Sequence, residues 1–111
     1  MLVLLSPSKT LSFEDAPPAE ETTVPEFLEA SEKLMAKLKR MGIKKVEGLM
    51  NVNPALAAQT VEWAGNWSTP FSTANARPAA HCFKGAVYTG LQARTWRDAD
   101  RAFAQDHLRI L

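Results

Sequence analysis

An apolar run and a polar loop open the chain. Residues 2–5 are all apolar, and Ser6-Pro7 ends the run, a pattern typical of a short buried strand. An all-apolar strand is normally covered on both faces, so we expect this strand to be central in a parallel or mixed sheet. Residues 12–25 carry prolines and acidic side chains, which indicates a surface loop.

Apolar positions at helical spacing follow, and they predict a first helix from Thr23 to about Met41. Thr23 and Glu26 have the spacing of a capping box at its start, and Gly42 stands where a helix often ends. The positions that recur on its apolar face are Phe27, Leu34, Met35, Leu38 and Met41.

The remainder indicates short helices interrupted by proline and glycine. Residues 43–50 form a short apolar-patterned segment, and Asn53-Pro54 is a helix start that predicts a helix to about Ala64. Residues 74–83 suit another short helix, whereas residues 87–89 suit a turn or a strand fragment.

The last predicted helix opens with a capping-box spacing at residues 95–98. No Gly, Asn or Pro stop signal precedes Leu111, so we expect this helix to be unfinished at the end of the sequence. The whole pattern predicts an α+β fold. Its N-terminal buried strand is followed by several short helices, as an incomplete portion of a larger α+β fold.

Length and composition narrow the class of protein. A chain of 111 residues suits one domain, so residues 1–111 are expected to form a single domain. The net charge of +1 does not by itself indicate a nucleic-acid or membrane partner. One cysteine excludes an internal disulfide, and one cysteine with two histidines gives little material for a zinc site. We expect no metal and no cofactor.

The sequence also bears on location. No apolar run approaches the roughly 18 residues of a membrane span, and residues 1–5 lack the basic leader of a signal peptide. We therefore expect a cytoplasmic protein with no membrane association. The oligomeric state stays open.

The first candidate site is the loop of residues 6–10, directly after the predicted strand. Loops at the carboxyl ends of strands are where α/β sheets bind ligands. Lys9, with the hydroxyls of Ser6 and Thr10, could hold a phosphate or another anion. The glycines of a Walker loop are missing. The alternative is a polar turn with one exposed lysine.

The second candidate is a cluster of basic residues around Gly42. Helix, glycine-containing hairpin and helix are the outline of a helix-hairpin-helix element, whose backbone N–H groups and lysines contact DNA phosphates without reading bases. Residues 41–45 fit this outline loosely. The alternative is a solvated helix end that complements the helix dipole. The cluster consists of Lys37, Lys39, Arg40, Lys44 and Lys45.

The third candidate is residues 77–91, which mix polar groups with glycine turns as ligand loops do. His81 and Cys82 are adjacent, but neighbours in a helix or strand rarely point at each other, so a small, buried, inert Cys82 is favoured over a nucleophile. No catalytic dyad or triad is visible, and whether the protein is an enzyme stays open.

A family resemblance rests on four stretches, residues 1–10, 73–79, 83–93 and 103–111. They include Ser-Pro-Ser-Lys-Thr at residues 6–10 and Phe-Lys-Gly-Ala-Val-Tyr at residues 83–88. Through them the chain resembles the peroxide stress protein YaaA family over essentially its whole length. Ser8 and Ala86 depart from the family pattern, which usually has Ala and Asp there. Because family members are more than twice this length, we expect the N-terminal portion of a YaaA-like protein, truncated at its C-terminus.

The resemblance implies an α+β protein with a positively charged cleft and a helix-hairpin-helix-like element. It further implies binding of double-stranded DNA without sequence specificity, and a part in surviving hydrogen peroxide by limiting free iron and iron-driven oxidative damage. The DNA-binding candidates are Lys9, Lys39, Arg40, Lys44, Lys45, Arg77 and Lys84.

Two other hypotheses stay open. The chain could be an enzyme or a small-ligand-binding protein that uses the loop 6–10 and residues 77–88 as one anion pocket, provided that these side chains converge. Alternatively, the 111-residue chain could have no activity alone and associate through exposed apolar surface. The anion-pocket candidates are Ser6, Lys9, Thr10, Arg77 and Tyr88.

Overall fold

The computed structural model describes residues 1–14, 16 and 22–111, and within them the protein is a mixed α+β chain. Part of the predicted surface loop, residues 15 and 17–21, lies outside the described residues. The strands are β1 (Val3–Leu5) and β2 (Leu108–Ile110), and the helices are α1 (Leu28–Leu38), α2 (Ile43–Met50), α3 (Pro54–Asn66), α4 (Ala79–Cys82), α5 (Ala86–Leu91) and α6 (Asp98–His107). A 3₁₀ turn spans Ala93–Thr95.

The chain divides into two compact units, which are described separately. Unit 1 combines Met1–Glu20 with Ala76–Leu111, and unit 2 is the continuous segment Glu21–Asn75. Unit 1 therefore holds both strands and α4 to α6, whereas unit 2 holds α1 to α3.

The sheet of unit 1 joins the two ends of the chain. β1 pairs with β2 in parallel, with Val3 opposite Leu108 and Leu5 opposite Ile110. The predicted strand and its parallel pairing are confirmed, but within the described residues the predictions that it is buried and that it is central in its sheet are wrong. Leu2 and Leu4 are 56% and 57% exposed. The physical reason is that β1 has one strand beside it within the described residues, so this sheet has two edges and little covers its faces.

The unfinished C-terminal helix is a second wrong prediction. α6 ends at His107, and Leu108–Ile110 form β2. These residues leave the helix because their backbone pairs with β1, an interaction that local pattern does not reveal. The start of α6 also differs from the predicted cap, since Arg97 is the N-cap residue and its N–H donates to Asp100 Oδ2 at 2.9 Å.

The helix starts of unit 2 confirm one predicted signal and overturn two others. Asn53 caps α3, because its Oδ1 accepts a hydrogen bond from the Leu56 N–H at 2.8 Å. The Thr23–Glu26 cap is wrong, since α1 begins at Leu28 with Phe27 as its N-cap residue. Gly42 does not end α1. It has extended backbone and is the N-cap residue of α2.

Small side chains form the core of unit 2. Val46 on α2 and Ala57 on α3 are both 0% exposed, and these two helices pack closely together. Ala64, also on α3, is 2% exposed. Small residues let two helix backbones approach each other, so α2 and α3 form a tight pair joined by only three residues, Asn51 to Asn53.

Candidate anion-binding and nucleic-acid-binding sites

The loop that follows β1 is bound to the residues around α5. The Tyr88 hydroxyl donates to the Ser6 carbonyl at 2.6 Å, and the Lys84 N–H donates to the Thr10 carbonyl at 3.0 Å. Next to them, Leu11 forms an antiparallel bridge with Phe83. The first and third candidate stretches of the sequence therefore lie together in unit 1.

Tyr88 links these two stretches from within the core of unit 1. It is 8% exposed, and its ring lies 5.2 Å from the Phe83 ring between centroids. Burial raises the pKa of its hydroxyl. The prediction of a turn or strand fragment at residues 87–89 is wrong, because they belong to α5. The helix turns Tyr88 inward, and its hydroxyl donates to a backbone carbonyl.

Gly85 makes the turn into α5 and lies near the loop. Its φ of +114° is a conformation that side-chain-bearing residues rarely adopt. A Cβ at this position would lie 3.8 Å from Ser8 Oγ, and that hydroxyl accepts from the Thr10 N–H at 3.2 Å. The glycine of the Phe-Lys-Gly stretch thus serves backbone geometry beside the loop.

Three cations of unit 1 were predicted to contact an anion, and their settings differ. Lys9 is exposed, whereas Lys84 and Arg77 are half-buried. Arg77 donates from Nε to the Ala16 carbonyl at 3.1 Å and from Nη1 to the Ala76 carbonyl at 2.9 Å. These bonds fix its guanidinium against the backbone, so part of its donor capacity serves to hold chain segments together.

His81 and Cys82 are held in the short helix α4, which covers only four residues of the helix predicted over residues 74–83. Cys82 is 3% exposed, as expected for a small buried cysteine, and its carbonyl accepts from the Ser12 N–H at 2.9 Å. Burial raises the pKa of its thiol, and nearby positive charges oppose this only in part. A thiol with a raised pKa is a poor nucleophile at neutral pH.

His81 carries an unsatisfied buried atom. Its Nδ1 is buried without a hydrogen-bond partner among the described residues. Burial lowers the pKa of His81, and the positive charges of Arg94 and Arg101 lower it further. The imidazole is therefore held in its neutral form at neutral pH.

The basic cluster of unit 2 surrounds the connection from α1 to α2. Arg40, Lys44 and Lys45 are exposed. Lys39 is also exposed, but its Nζ donates to the Trp67 carbonyl at 2.7 Å and lies 5.9 Å from the centre of the Trp67 ring. This contact ties the end of α1 to the end of α3 and gives Lys39 a structural role.

Lys44 also lines a shallow open groove along α2. The other residues of this groove are Glu47, Gly48, Asn51 and Val52. Asn51 ends α2 in the left-handed conformation, with a φ of +50°. The groove thus runs from the basic first turn of α2 to the hairpin that leads into α3.

Asn75 is a residue that the sequence analysis did not single out, although it lies in one of the stretches that carry the resemblance. Its Oδ1 accepts from the Ser72 N–H at 2.7 Å, and its Nδ2 donates to the carbonyls of Pro70 and Ser68 at 3.0 and 3.2 Å. The Thr69–Pro70 peptide within this loop is cis. An asparagine beside proline and serine in a turn-rich stretch was the available signal.

Two further features concern the described part of the chain alone. None of its helices combines the length and the apolar character of a membrane-spanning segment. In the same residues, no three His, Cys, Asp or Glu side chains come together in a group that could hold a metal ion.

A comparison with known proteins decides the family. The family model described as peroxide stress protein YaaA matches residues 1–111, the entire chain. The chain belongs to this family. A UPF0246 protein of Saccharophagus degradans is 42% identical to it over all 111 residues, and a UPF0246 protein of Cupriavidus metallidurans is 40% identical over the same length. The YaaA-family chain spans 43% and 42% of the lengths of these two relatives.

Proposed function

We propose that this YaaA-family chain contacts the phosphate backbone of double-stranded DNA through Arg40, Lys44 and Lys45 of unit 2, as part of a peroxide stress response. The contact reads no bases, and it supports protection of DNA against iron-driven oxidative damage. The observation that carries the proposal is the charge at the start of α2.

That charge runs against the usual preference of helices. The first turn of α2 contains Lys44 and Lys45 and no acidic residue. The first turn of α1 contains Glu29, and that of α6 contains Asp98 and Asp100, as the helix dipole favours. Two lysines beside the positive end of a helix repel it, and a bound anion removes this cost. The first N–H groups of a helix lack partners within it, so they add donors for phosphate oxygens.

The helix-hairpin-helix interpretation is part of this proposal. Gly42 is the N-cap residue of α2 and has no side chain to cover the start of the helix. The space that a Cβ would occupy there is open, with no other atom within 4 Å. A phosphate can therefore approach the α2 backbone closely. Lys39 is assigned to the support of this region through Trp67, and Lys9, Arg77 and Lys84 belong to the separately described unit 1.

The test is fluorescence anisotropy of a labelled DNA duplex over a salt series. Each phosphate that the protein neutralises contributes about one unit to the slope of log K against log salt. The double variant Lys44→Ala, Lys45→Ala should therefore have a slope smaller by about two. Both side chains are exposed, so the variant should keep its fold by circular dichroism.

Lys33→Ala is the matched control. Lys33 lies on α1 of the same unit, is exposed, and pairs with Glu29 at 2.6 Å. Its replacement should leave the salt slope unchanged. If Lys33→Ala also lowers the slope by about one unit, general charge rather than a contact at α2 is responsible. An unchanged slope in the double variant would remove α2 from DNA binding.

The peroxide role has its own test. Cells that depend on this chain as their source of a YaaA-family protein should survive hydrogen peroxide better than cells without it. The double lysine variant should lose that advantage while Lys33→Ala keeps it. Equal survival with the double variant would separate the stress role from DNA binding.

A second candidate function is binding of a small anion in unit 1. The hydrogen bonds from Tyr88 to Ser6 and from Lys84 to Thr10 support it, since they bring the loop 6–10 and the α5 region together. Lys9 is the exposed cation of that loop. Calorimetric titration with inorganic phosphate tests the idea: heat of binding that Lys9→Ala abolishes supports it, and no heat with the original chain contradicts it.

A further inference from the structure

The β1–β2 sheet presents apolar side chains and two strand edges to solvent. On one face, Leu2 and Leu4 are 56% and 57% exposed, and Val3 on the other face is 39% exposed. Leu111, directly after β2, is 72% exposed. Leu111 continues the pairing of the two strands, because it donates its N–H to the Leu5 carbonyl at 3.0 Å.

Such a sheet lacks the covered faces and the further strands that usually stabilise parallel strands. Parallel sheets are covered on both faces, and sheets of two strands are marginal in water. A strand paired on one side directs alternate main-chain N–H and C=O groups to the other side, where another strand can bind them. Within the described residues, β1 and β2 are the whole sheet.

The lengths of the relatives indicate what covers it. This chain matches the two UPF0246 relatives over its entire length and yet spans 43% and 42% of theirs. More than half of each relative is therefore polypeptide without a counterpart in this chain. The edge of an apolar strand binds another polypeptide strand in preference to a small ligand or a nucleic acid. The reason is that only a polypeptide supplies main-chain donors and acceptors at the spacing of a strand.

We propose that the β1–β2 sheet is a docking surface for the polypeptide that makes up the remainder of these relatives. A strand of that polypeptide pairs with the free edge of β1, and its apolar side chains cover Leu2 and Leu4. This surface uses residues of unit 1, whereas the proposed DNA contact uses residues of unit 2.

The experiment mixes this chain with a separately produced polypeptide, the part of the Saccharophagus degradans relative outside the matched 43%. Binding is measured by calorimetry and by light scattering after gel filtration. Leu4→Lys should weaken the affinity at least tenfold, which corresponds to about 1.4 kcal/mol. Leu2→Lys, on the same face, should have a similar effect.

Leu49→Lys is the matched control. Leu49 is a comparably exposed leucine, at 68%, but it lies on α2 of unit 2. Its replacement should leave the affinity unchanged. Each variant is first compared with the original chain by circular dichroism, and the exposed positions make retention of the fold the expected result.

Amide hydrogen exchange distinguishes strand pairing from loose apolar contact. On binding, the exchange of β1 amides should slow at least tenfold. The proposal is overturned if the folded chain does not bind the polypeptide, if the Leu4 and Leu2 variants bind it as tightly as the Leu49 variant, or if β1 amides exchange at their original rate in the complex. It is also overturned if the chain forms a dimer that Leu4→Lys dissociates, since a second copy would then be the occupant.

Discussion

Replacement of Tyr88 by Phe removes one oxygen atom from the contact that joins the loop 6–10 to α5. The interaction removed is the 2.6 Å hydrogen bond to the Ser6 carbonyl. A neutral hydrogen bond contributes about 0.5–1.5 kcal/mol. Ser6 is exposed, so water can satisfy its carbonyl in the variant. The ring of Phe keeps the contact with Phe83. The free energy of unfolding should therefore fall by about 1 kcal/mol.

The assay is urea unfolding followed by circular dichroism, with Tyr88→Ala as the comparison. The Ala variant also loses the buried ring and should cost about 3–5 kcal/mol, as aromatic-to-alanine changes in cores do. A Tyr88→Phe variant as stable as the original chain would refute the view that this hydroxyl holds the loop. A variant as unstable as Tyr88→Ala would show that the magnitude has been misjudged.

The same residue can be titrated directly, because the chain has one tyrosine. The raised pKa of Tyr88 means that folding favours the protonated hydroxyl. Stability from this group is therefore complete below the ordinary tyrosine pKa and is lost as the pH rises through the raised value. Tyrosinate absorbance should appear at higher pH in the folded chain than in urea, and coincident titrations would contradict the burial argument.

Three further predictions test the α3 cap, the loop 68–75 and the pH dependence of stability. Asn53→Ala removes the α3 cap and should lower the free energy of unfolding by about 1 kcal/mol in urea, whereas an unchanged midpoint would deny the cap a role. Asn75→Ala removes the side-chain hydrogen bonds to Ser72, Pro70 and Ser68 and should make the loop 68–75 more sensitive to limited proteolysis than in the original chain. Identical cleavage rates would argue against it. The pKa of His81 is lowered in the folded chain, so below pH 6.5 the unfolded chain binds more protons than the folded chain, and the free energy of unfolding should fall as the pH falls from there. His81→Gln should make the urea midpoint less dependent on pH in this range. An equally steep pH dependence in the variant would rule out His81 as its source.

The elements that the sequence predicted correctly are those whose signals are local. Asn53-Pro54 predicts the start of α3 because the capping oxygen and the bonded N–H are three residues apart. The apolar spacing of residues 43–50 likewise predicts α2, whose Val46 is buried. In both cases neighbouring residues contain the whole interaction.

The errors arise where a distant partner decides the structure. Leu108–Ile110 continue a helical pattern, but pairing with β1 at the other end of the chain makes them a strand. Val87–Thr89 suit a strand by composition, yet the Gly85 turn and the inward Tyr88 place them in α5. No sequence signal identifies a backbone carbonyl, such as that of Ser6, as the partner of a side chain.

The same limit applies to the candidate sites. One hypothesis from the sequence was that residues 6–10 and 77–88 form a single anion pocket. The hydrogen bonds of Tyr88 and Lys84 do join those two stretches. The sequence could not show that Arg77 is engaged by the carbonyls of Ala16 and Ala76. It also could not show that Lys39 is bound to Trp67, because that contact depends on the packing of α1 beside α3.

The pairing of β1 with β2 has a consequence for the order in which the protein folds during synthesis. Residues 3–5 leave the ribosome first among the paired segments and must wait for residues 108–110 before their sheet can form. Unit 2 is continuous in sequence, so its helices can assemble while the partner strand is still being made. Until residues 108–110 have been made, the nascent chain therefore carries an unpaired apolar segment at residues 2–5, and exposed segments of this kind are prone to aggregation.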